Sequence, residues 1–377
     1  MSGLVLCSAD RHLAEYLKAT AQRAAMAATL VQQPSQAMRL MGELSPDLIL
    51  LDEQFSQGAT LEFAANLMAM LPDAKVVLLL RAHNFEVVRA GMGVGVVDAL
   101  LVPDGPGRVA DVLSRLYQAR ADRAAAGRVL AFFRAKGGVG ATFLAVNTAV
   151  AATALVEGKV LLIDGNLLTS DVPAMLNLKS QRTMLDLAPV LDELTPRHIE
   201  DVCAHHASGL HVLLAPPEPA MGHALAPEHL ALIIRVAQRA YKAVIIDAPP
   251  VSDERCEAVL RAASRPLLVA TPDALSVFAW RRLHPLVGDL GGRAGLVLNQ
   301  VTVKAEFSAQ ELVEWTRLPL IGQVRYDPAL VGPLVNTGRT LLEARSGRRF
   351  EVRPPGIIRD VVRLAHQLLG QERGATA

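Results

Sequence analysis

The sequence predicts an α/β protein with two parallel sheets covered by helices, a smaller one of five strands followed by a larger one. Three observations carry this. Short apolar runs recur along the whole chain, separated by segments of helical period. Many of these runs end in Asp, Asn, Gly or Pro, as central parallel strands do at the carboxyl ends where ligands collect. The composition is 51% hydrophobic, 20% charged and only 4% aromatic. Such a Leu, Val, Ala and Ile core suits sheets packed beneath helices.

Five runs open the chain: "GLVLCSA" (3–9), "ATLVQQ" (28–33), "DLILLDE" (47–53), "AKVVLLL" (74–80) and "DALLVP" (98–103). Segments such as "DRHLAEYLKATAQR" and "LEFAANLMAML" lie between them with amphipathic helical spacing. The Arg/Ala-rich stretch 107–127 predicts a helical connector, with a boundary near 122–128. A second series then supplies "RVLAFFRA" (128–135), "KVLLIDG" (159–165), "HVLLAPP" (211–217), "KAVIIDAPP" (242–250), "RPLLVATP" (265–272), "AGLVLNQV" (294–301) and "PLIGQVRY" (319–326). The expected domains are 1–122 and 128–372, within a chain of 377 residues that is long enough for two cores. The Pro-rich stretch 216–230 reads as a surface loop.

Several functional classes are disfavoured. A formal net charge of +1 gives no general attraction to nucleic acid. Three scattered cysteines predict neither a disulfide framework nor a metal site, and suit a reducing cytoplasm. Cys203 lies near His205 and His206, and these read as surface polar residues at a helix end. The first residues do not read as a signal peptide, and no apolar run is long enough to span a membrane.

The chemistry concentrates in "AFFRAKGGVGATFLAVNTAV" (131–150), a strand, a glycine loop and an alanine-rich helix. Gly137, Gly138 and Gly140 let backbone N–H groups surround phosphate oxygens, and the helix adds its positive end. Lys136, Val139, Ala141, Thr142 and Phe143 complete the candidate nucleotide-binding segment. The Thr142 hydroxyl is placed for Mg²⁺, and two strand-end acids, Asp164 and Asp247, are placed to hold its coordination shell.

"KGGVGAT" resembles the deviant Walker A motif of the ParA/MinD ATPases, usually KGGVGKT. The resemblance covers residues 128 to about 345 and implies ATP and Mg²⁺ as cofactors. It gives Lys136 the role of reaching a partner chain's nucleotide across a homodimer. "VLLIDGN" resembles switch I, "VIIDAPP" resembles Walker B and switch II, and "LVLNQ" points to Asn299 as the base-recognising residue. The segment 326–343 matches the late stretch bordering the base, which implicates Tyr326, Asp327 and Pro328. Two departures stand out: Ala141 replaces the P-loop lysine, and Asn166 replaces the second switch I acid. An amide cannot take a proton from water, so no intact catalytic residue is expected and hydrolysis should be weak or absent.

The first domain resembles a response-regulator receiver, with Asp52 at the phosphoacceptor position. Its supporting positions hold Ser8, Ala9, Arg81 and Val102 instead of an acid pair, a hydroxyl and a lysine. Phosphoryl transfer is therefore not expected, and Asp52 reads as a solvated strand-end residue of a pseudo-receiver. A pseudo-receiver ahead of a ParA/MinD-like domain with "KGGVGAT" resembles the TadZ/CpaE family of Flp (tight adherence) pilus assembly. That resemblance implies a cytoplasmic homodimer at the inner-membrane face, at a pole or other membrane site, working with other pilus components and the secretion ATPase. It implies no direct nucleic acid, and membrane association through partners. An active partition or positioning ATPase and a phosphorylation-controlled regulator remain alternatives. The last segment, 354–377, carries a broad apolar stripe from Ile357 to Leu369, which predicts packing on its own domain rather than on lipid.

Overall fold

The computed structural model describes residues 4–23, 28–44, 46, 48–56, 58–71, 74–102, 127–287, 290, 292–347 and 355–370. The connector helix expected over 107–127 falls almost wholly outside these described residues. The chain divides into two compact units, 1–122 and 123–377.

In the first unit, β1 (Leu4–Cys7), β2 (Ala28–Val31), β3 (Leu48–Asp52), β4 (Lys75–Leu80) and β5 (Asp98–Leu101) form a parallel sheet in the order β2-β1-β3-β4-β5. This is the doubly wound receiver-like order. Its strands are continuously apolar because both faces are covered. Ile49 and Leu51 enter one core layer and Leu48 and Leu50 the other, and β3 is buried throughout.

The carboxyl end of β3 corrects one expectation. Asp52 is fully buried rather than solvated. Ser8 Oγ donates to its Oδ2 at 2.7 Å, and Arg81 Nη2 lies 3.2 Å from the same oxygen and 3.0 Å from Asp10 Oδ2. The Arg81 backbone N–H also donates to Glu53 Oε1 at 2.7 Å. A guanidinium thus neutralises the two acids where receiver chemistry would need a metal.

Among the described residues the second unit has eight strands: β6 (Arg128–Arg134), β7 (Val160–Asp164), β8 (Ala204–His205), β9 (His211–Leu213), β10 (Ala243–Asp247), β11 (Arg265–Ala270), β12 (Gly295–Val301) and β13 (Leu320–Arg325). Their order is β13-β12-β11-β6-β10-β7-β9-β8. All neighbours run parallel except β8, which pairs antiparallel with β9, so the sheet is mixed at one edge. Cys203 and His206, expected at the surface, flank this edge strand and are buried. Burial pushes the Cys203 thiol up to about 12, so it has no thiolate character. The Pro-rich stretch 216–230 is not a plain loop either: it holds a short helix, Pro219–Gly222, and the start of Pro227–Ala237. Proline at the first helical position suits both starts.

The helix Ala141–Thr153 is buried almost all round, the pattern of a central helix. The last helix, Gly356–Leu369, packs over it and over β13, burying Ile357, Ile358, Val361, Leu364, Ala365 and Leu368. Arg359, Arg363 and His366 lie on its exposed side. A side chain at Gly322 of β13 would meet Leu364 Cδ1 at 2.9 Å, so glycine sets how closely helix and sheet approach. Asp360 then clamps Arg325, with 2.7 Å between Oδ2 and Nε.

Two outcomes follow from this packing. Leu364→Ala should lower unfolding stability by about 2–5 kcal/mol, the usual cost of a buried leucine truncated to a cavity. Chemical denaturation checks it, and a change under about 1 kcal/mol would place the helix outside the core. Beryllofluoride should leave the NMR spectrum of the full chain unchanged, because Arg81 already neutralises Asp52 and Asp10. Fluoride-dependent shifts around Asp52 would show that a phosphoryl-like group can still enter.

Candidate nucleotide-binding site

Parallel register determines this site. Asp164 ends β7, Asp247 ends β10, and the two are direct partners in the ladder. Adjacent strands lie about 4.8 Å apart, so two carboxylates project at one height on one face. β6 lies on the other side of β10 and runs into the glycine loop, with Arg134 as its last residue. The loop and the N-terminus of the helix Ala141–Thr153 close over the same face.

The loop is held from three directions. Gly138 and Gly140 have φ of 79° and 81°, left-handed values that favour glycine. A Cβ at Gly140 would lie 2.4 Å from Asn299 Nδ2. From β12, Asn299 Nδ2 donates to Val139 O at 2.8 Å and Gln300 Nε2 donates to Gly138 O at 2.9 Å. Val139 plugs the loop into the core, and Phe143 is buried behind it. Phe143 can therefore serve a phosphate only through its backbone N–H. The other side of the loop is open, since nothing lies within 4 Å of a Cβ built at Gly137 or Gly138.

Beneath the loop, Thr142 Oγ1 donates to Asp247 Oδ2 at 2.8 Å. Ser170 Oγ and the Ala215 N–H donate to Asp164 Oδ2, the latter at 3.2 Å. Oδ1 of each acid has no hydrogen-bond partner although both residues are fully buried. Burial raises the Asp164 carboxyl to about 7, opposed by Ser170 and reinforced by Asp247. Burial likewise raises Asp247 to about 6, opposed by Arg134 and by the Thr142 bond. One hydroxyl and two orphaned carboxylate oxygens form the hard donor set that fits Mg²⁺, and the open glycine loop fits a phosphate.

The remaining expected residues are dispersed around this centre. Lys136 Nζ lies 3.3 Å from Asp273 Oδ2, an acid that also caps the helix Ala274–Leu283. Asn166 is buried and spends both ends of its amide on the turn to Thr169, donating at 2.8 Å and accepting at 3.2 Å. Asp327 caps the helix Pro328–Asn336 by accepting from Leu330 N at 3.1 Å, while Tyr326 is half exposed beside it. Sequence reasoning did not single out Arg134, Ser170, Gln300 or Asp273. Only Arg134 had a visible signal, a cation directly before the loop.

No protein-family model matches the chain, and no curated protein matches it. Solved structures do match. A ParA family ATPase from Chlorobium tepidum TLS is 21% identical over 64% of this chain and 99% of its own, with a TM-score of 0.58. The second unit has the ParA/MinD-type P-loop ATPase fold. MinD of Pyrococcus horikoshii OT3, complexed with Mg-ADP, is 17% identical over 64% of this chain and 96% of its own, at a TM-score of 0.55. The MinC:MinD cell division protein complex of Aquifex aeolicus matches at 21% identity, over 67% of this chain and 99% of that one, at 0.53. Identities this low speak to the fold. No helix among the described residues is long and apolar enough to cross a membrane.

The two raised carboxyls have a consequence for stability. The folded chain keeps protons on Asp164 and Asp247 that the unfolded chain releases near its ordinary carboxylate range. Their contribution therefore favours folding at low pH and is lost as pH rises through about 6 to 7. Asp164→Asn keeps acceptors for Ser170 and Ala215 but cannot ionise. Without nucleotide or Mg²⁺, this variant should melt above the wild type at about pH 8 and approach it toward pH 5. A variant that melts below the wild type at the higher pH contradicts this assignment.

Proposed function

We propose that the chain is a nucleotide-dependent dimerisation switch that binds Mg-ATP and hydrolyses it weakly or not at all. In the cell it would serve as a TadZ/CpaE-type localisation factor for Flp pilus assembly. The observation that carries the binding half is the Thr142–Asp247 bond beneath an open glycine loop, with Asp164 beside it in register. Bound Mg²⁺ screens phosphate charge and fixes phosphate geometry. The chain's own residues do the rest: the loop N–H groups orient the phosphates, Thr142 and the two acids hold the metal shell, and the Asn299 bond keeps the loop in shape. Tyr326, Asp327 and Pro328 border the base in this reading, and Asn299 faces it.

The weak-hydrolysis half rests on Ala141 and Asn166. Losing a lysine that contacts phosphate removes a charge-assisted bond worth about 1.5–3 kcal/mol. Asn166 has no basic oxygen, and its amide is committed to the turn at Thr169. Lys136 is held in its own chain by a partly exposed pair with Asp273, a surface interaction weak enough to exchange for a partner's phosphate. The pilus assignment adds the arrangement of the whole chain, a receiver-like unit lacking phosphoryl chemistry ahead of this ATPase-like one. Recruitment of secretion components to the inner-membrane face would then follow from dimerisation.

Light scattering of the full chain should show one copy without nucleotide and two with Mg-ATP, and Lys136→Ala should stay single. Restoring Ala141→Lys together with Asn166→Asp should raise phosphate release measurably. Wild-type turnover on the order of 1 s⁻¹ or faster would instead favour a working partition or positioning ATPase.

A further inference from the structure

We propose that Arg134 replaces the missing P-loop lysine, so that the cation meeting the nucleotide's phosphates comes from the end of β6 rather than from the head of the helix. This rests on the nucleotide-binding reading and names a residue that carries it.

Position 141, where a lysine would stand, holds an alanine that is buried and brings no charge. Arg134 is seven residues earlier, on the strand that feeds the loop. Strand alternation sends Phe132 to the core layer beneath the Ala141–Thr153 helix and Phe133 to the opposite layer. Arg134 returns to the first face, where Asp247 and Asp164 also project. Its side chain is 14% exposed, and its Nη1 lies 3.6 Å from Asp247 Oδ1. Thr142 holds the other oxygen of that carboxylate. Guanidinium and hydroxyl therefore bracket one acid directly beneath the phosphate cradle.

The bonding is incomplete in a way that suits a ligand. A guanidinium–carboxylate bond at full strength is about 2.7–2.9 Å long. The 3.6 Å approach leaves Asp247 Oδ1 without a hydrogen bond. Arg134 gives one N–H to Ala248 O at 3.2 Å, and a guanidinium has five. Its charge is held in place while most of its donors stay uncommitted. Lys136, the other cation of the loop, is engaged by Asp273. A nucleotide polyphosphate entering this cradle meets two buried acids, and Arg134 is the cation that stands against one of them.

The test uses the full chain, Mg²⁺ and ATP carrying a methylanthraniloyl fluorophore on the ribose. Arg134→Ala should weaken binding about tenfold to a hundredfold, the loss expected for one charge-assisted phosphate contact. Arg134→Gln, which removes the charge and keeps a polar side chain of part of the length, should weaken it as much. Adding Ala141→Lys to either variant should recover at least tenfold of the loss, which a packing role for Arg134 would not allow. Melting temperatures without nucleotide verify that each variant is folded. Folded variants that bind within twofold of the wild type, or a lysine at 141 that rescues nothing, overturn the proposal and leave nucleotide binding standing. A wild-type chain that binds no fluorescent ATP removes both.

Discussion

Asp247 is the residue on which the second unit's site depends. It is fully buried at the end of a central strand, and its two oxygens face the Thr142 hydroxyl and the Arg134 guanidinium. Without that carboxylate, Thr142 at the start of the helix would lose its bond to the sheet and the neighbouring cation would lose its counter-charge. Ladder register sets Asp164 beside it, and burial raises the pKa of both acids. A buried pair of like-charged groups is costly unless something positive arrives. The fold thus holds the acids in a state that a phosphate-bound metal would relieve.

Both units set a guanidinium against a buried strand-end acid. In the first, Arg81 sits against Asp52 and Asp10, where a receiver would hold a metal between acids. In the second, Arg134 sits against Asp247, beside a loop with alanine at position 141 where a P-loop lysine would stand. A guanidinium is permanently charged and planar, and it neutralises a carboxylate without leaving a buried charge unpaired. The difference lies in commitment. Arg81 approaches two acids at 3.0 and 3.2 Å, closing that site, whereas the 3.6 Å approach of Arg134 leaves the second site open to a ligand.

Much of the architecture was legible because buried parallel strands must be continuously apolar, and their ends must carry the polar groups. That constraint exposed Asp52, Asp164 and Asp247 as strand-end acids and located every strand among the described residues except one. It missed β8, which is only two residues long and pairs antiparallel at an edge. Burial of Cys203 and His206 followed from that same edge and had no periodic signal. The state of Asp52 was also hidden, because a strand-end acid looks alike in sequence whether water or an arginine from the next strand's end meets it. The glycine loop and Thr142 were readable from local spacing. The Asn299 and Gln300 bonds to the loop span more than 150 residues of sequence and depend on strand order. Proline punctuation misled at 216–230, where it begins helices instead of sustaining a loop.

The central claim is that the cradle still holds a triphosphate while the means to cleave it are gone. The most direct measurement mixes the full chain in excess with γ-labelled ATP and Mg²⁺, and identifies the nucleotide retained on the protein after prolonged incubation. The account predicts retained, intact ATP. Retained ADP with free phosphate would contradict the loss of hydrolysis, and an absence of retained nucleotide would contradict the cradle itself.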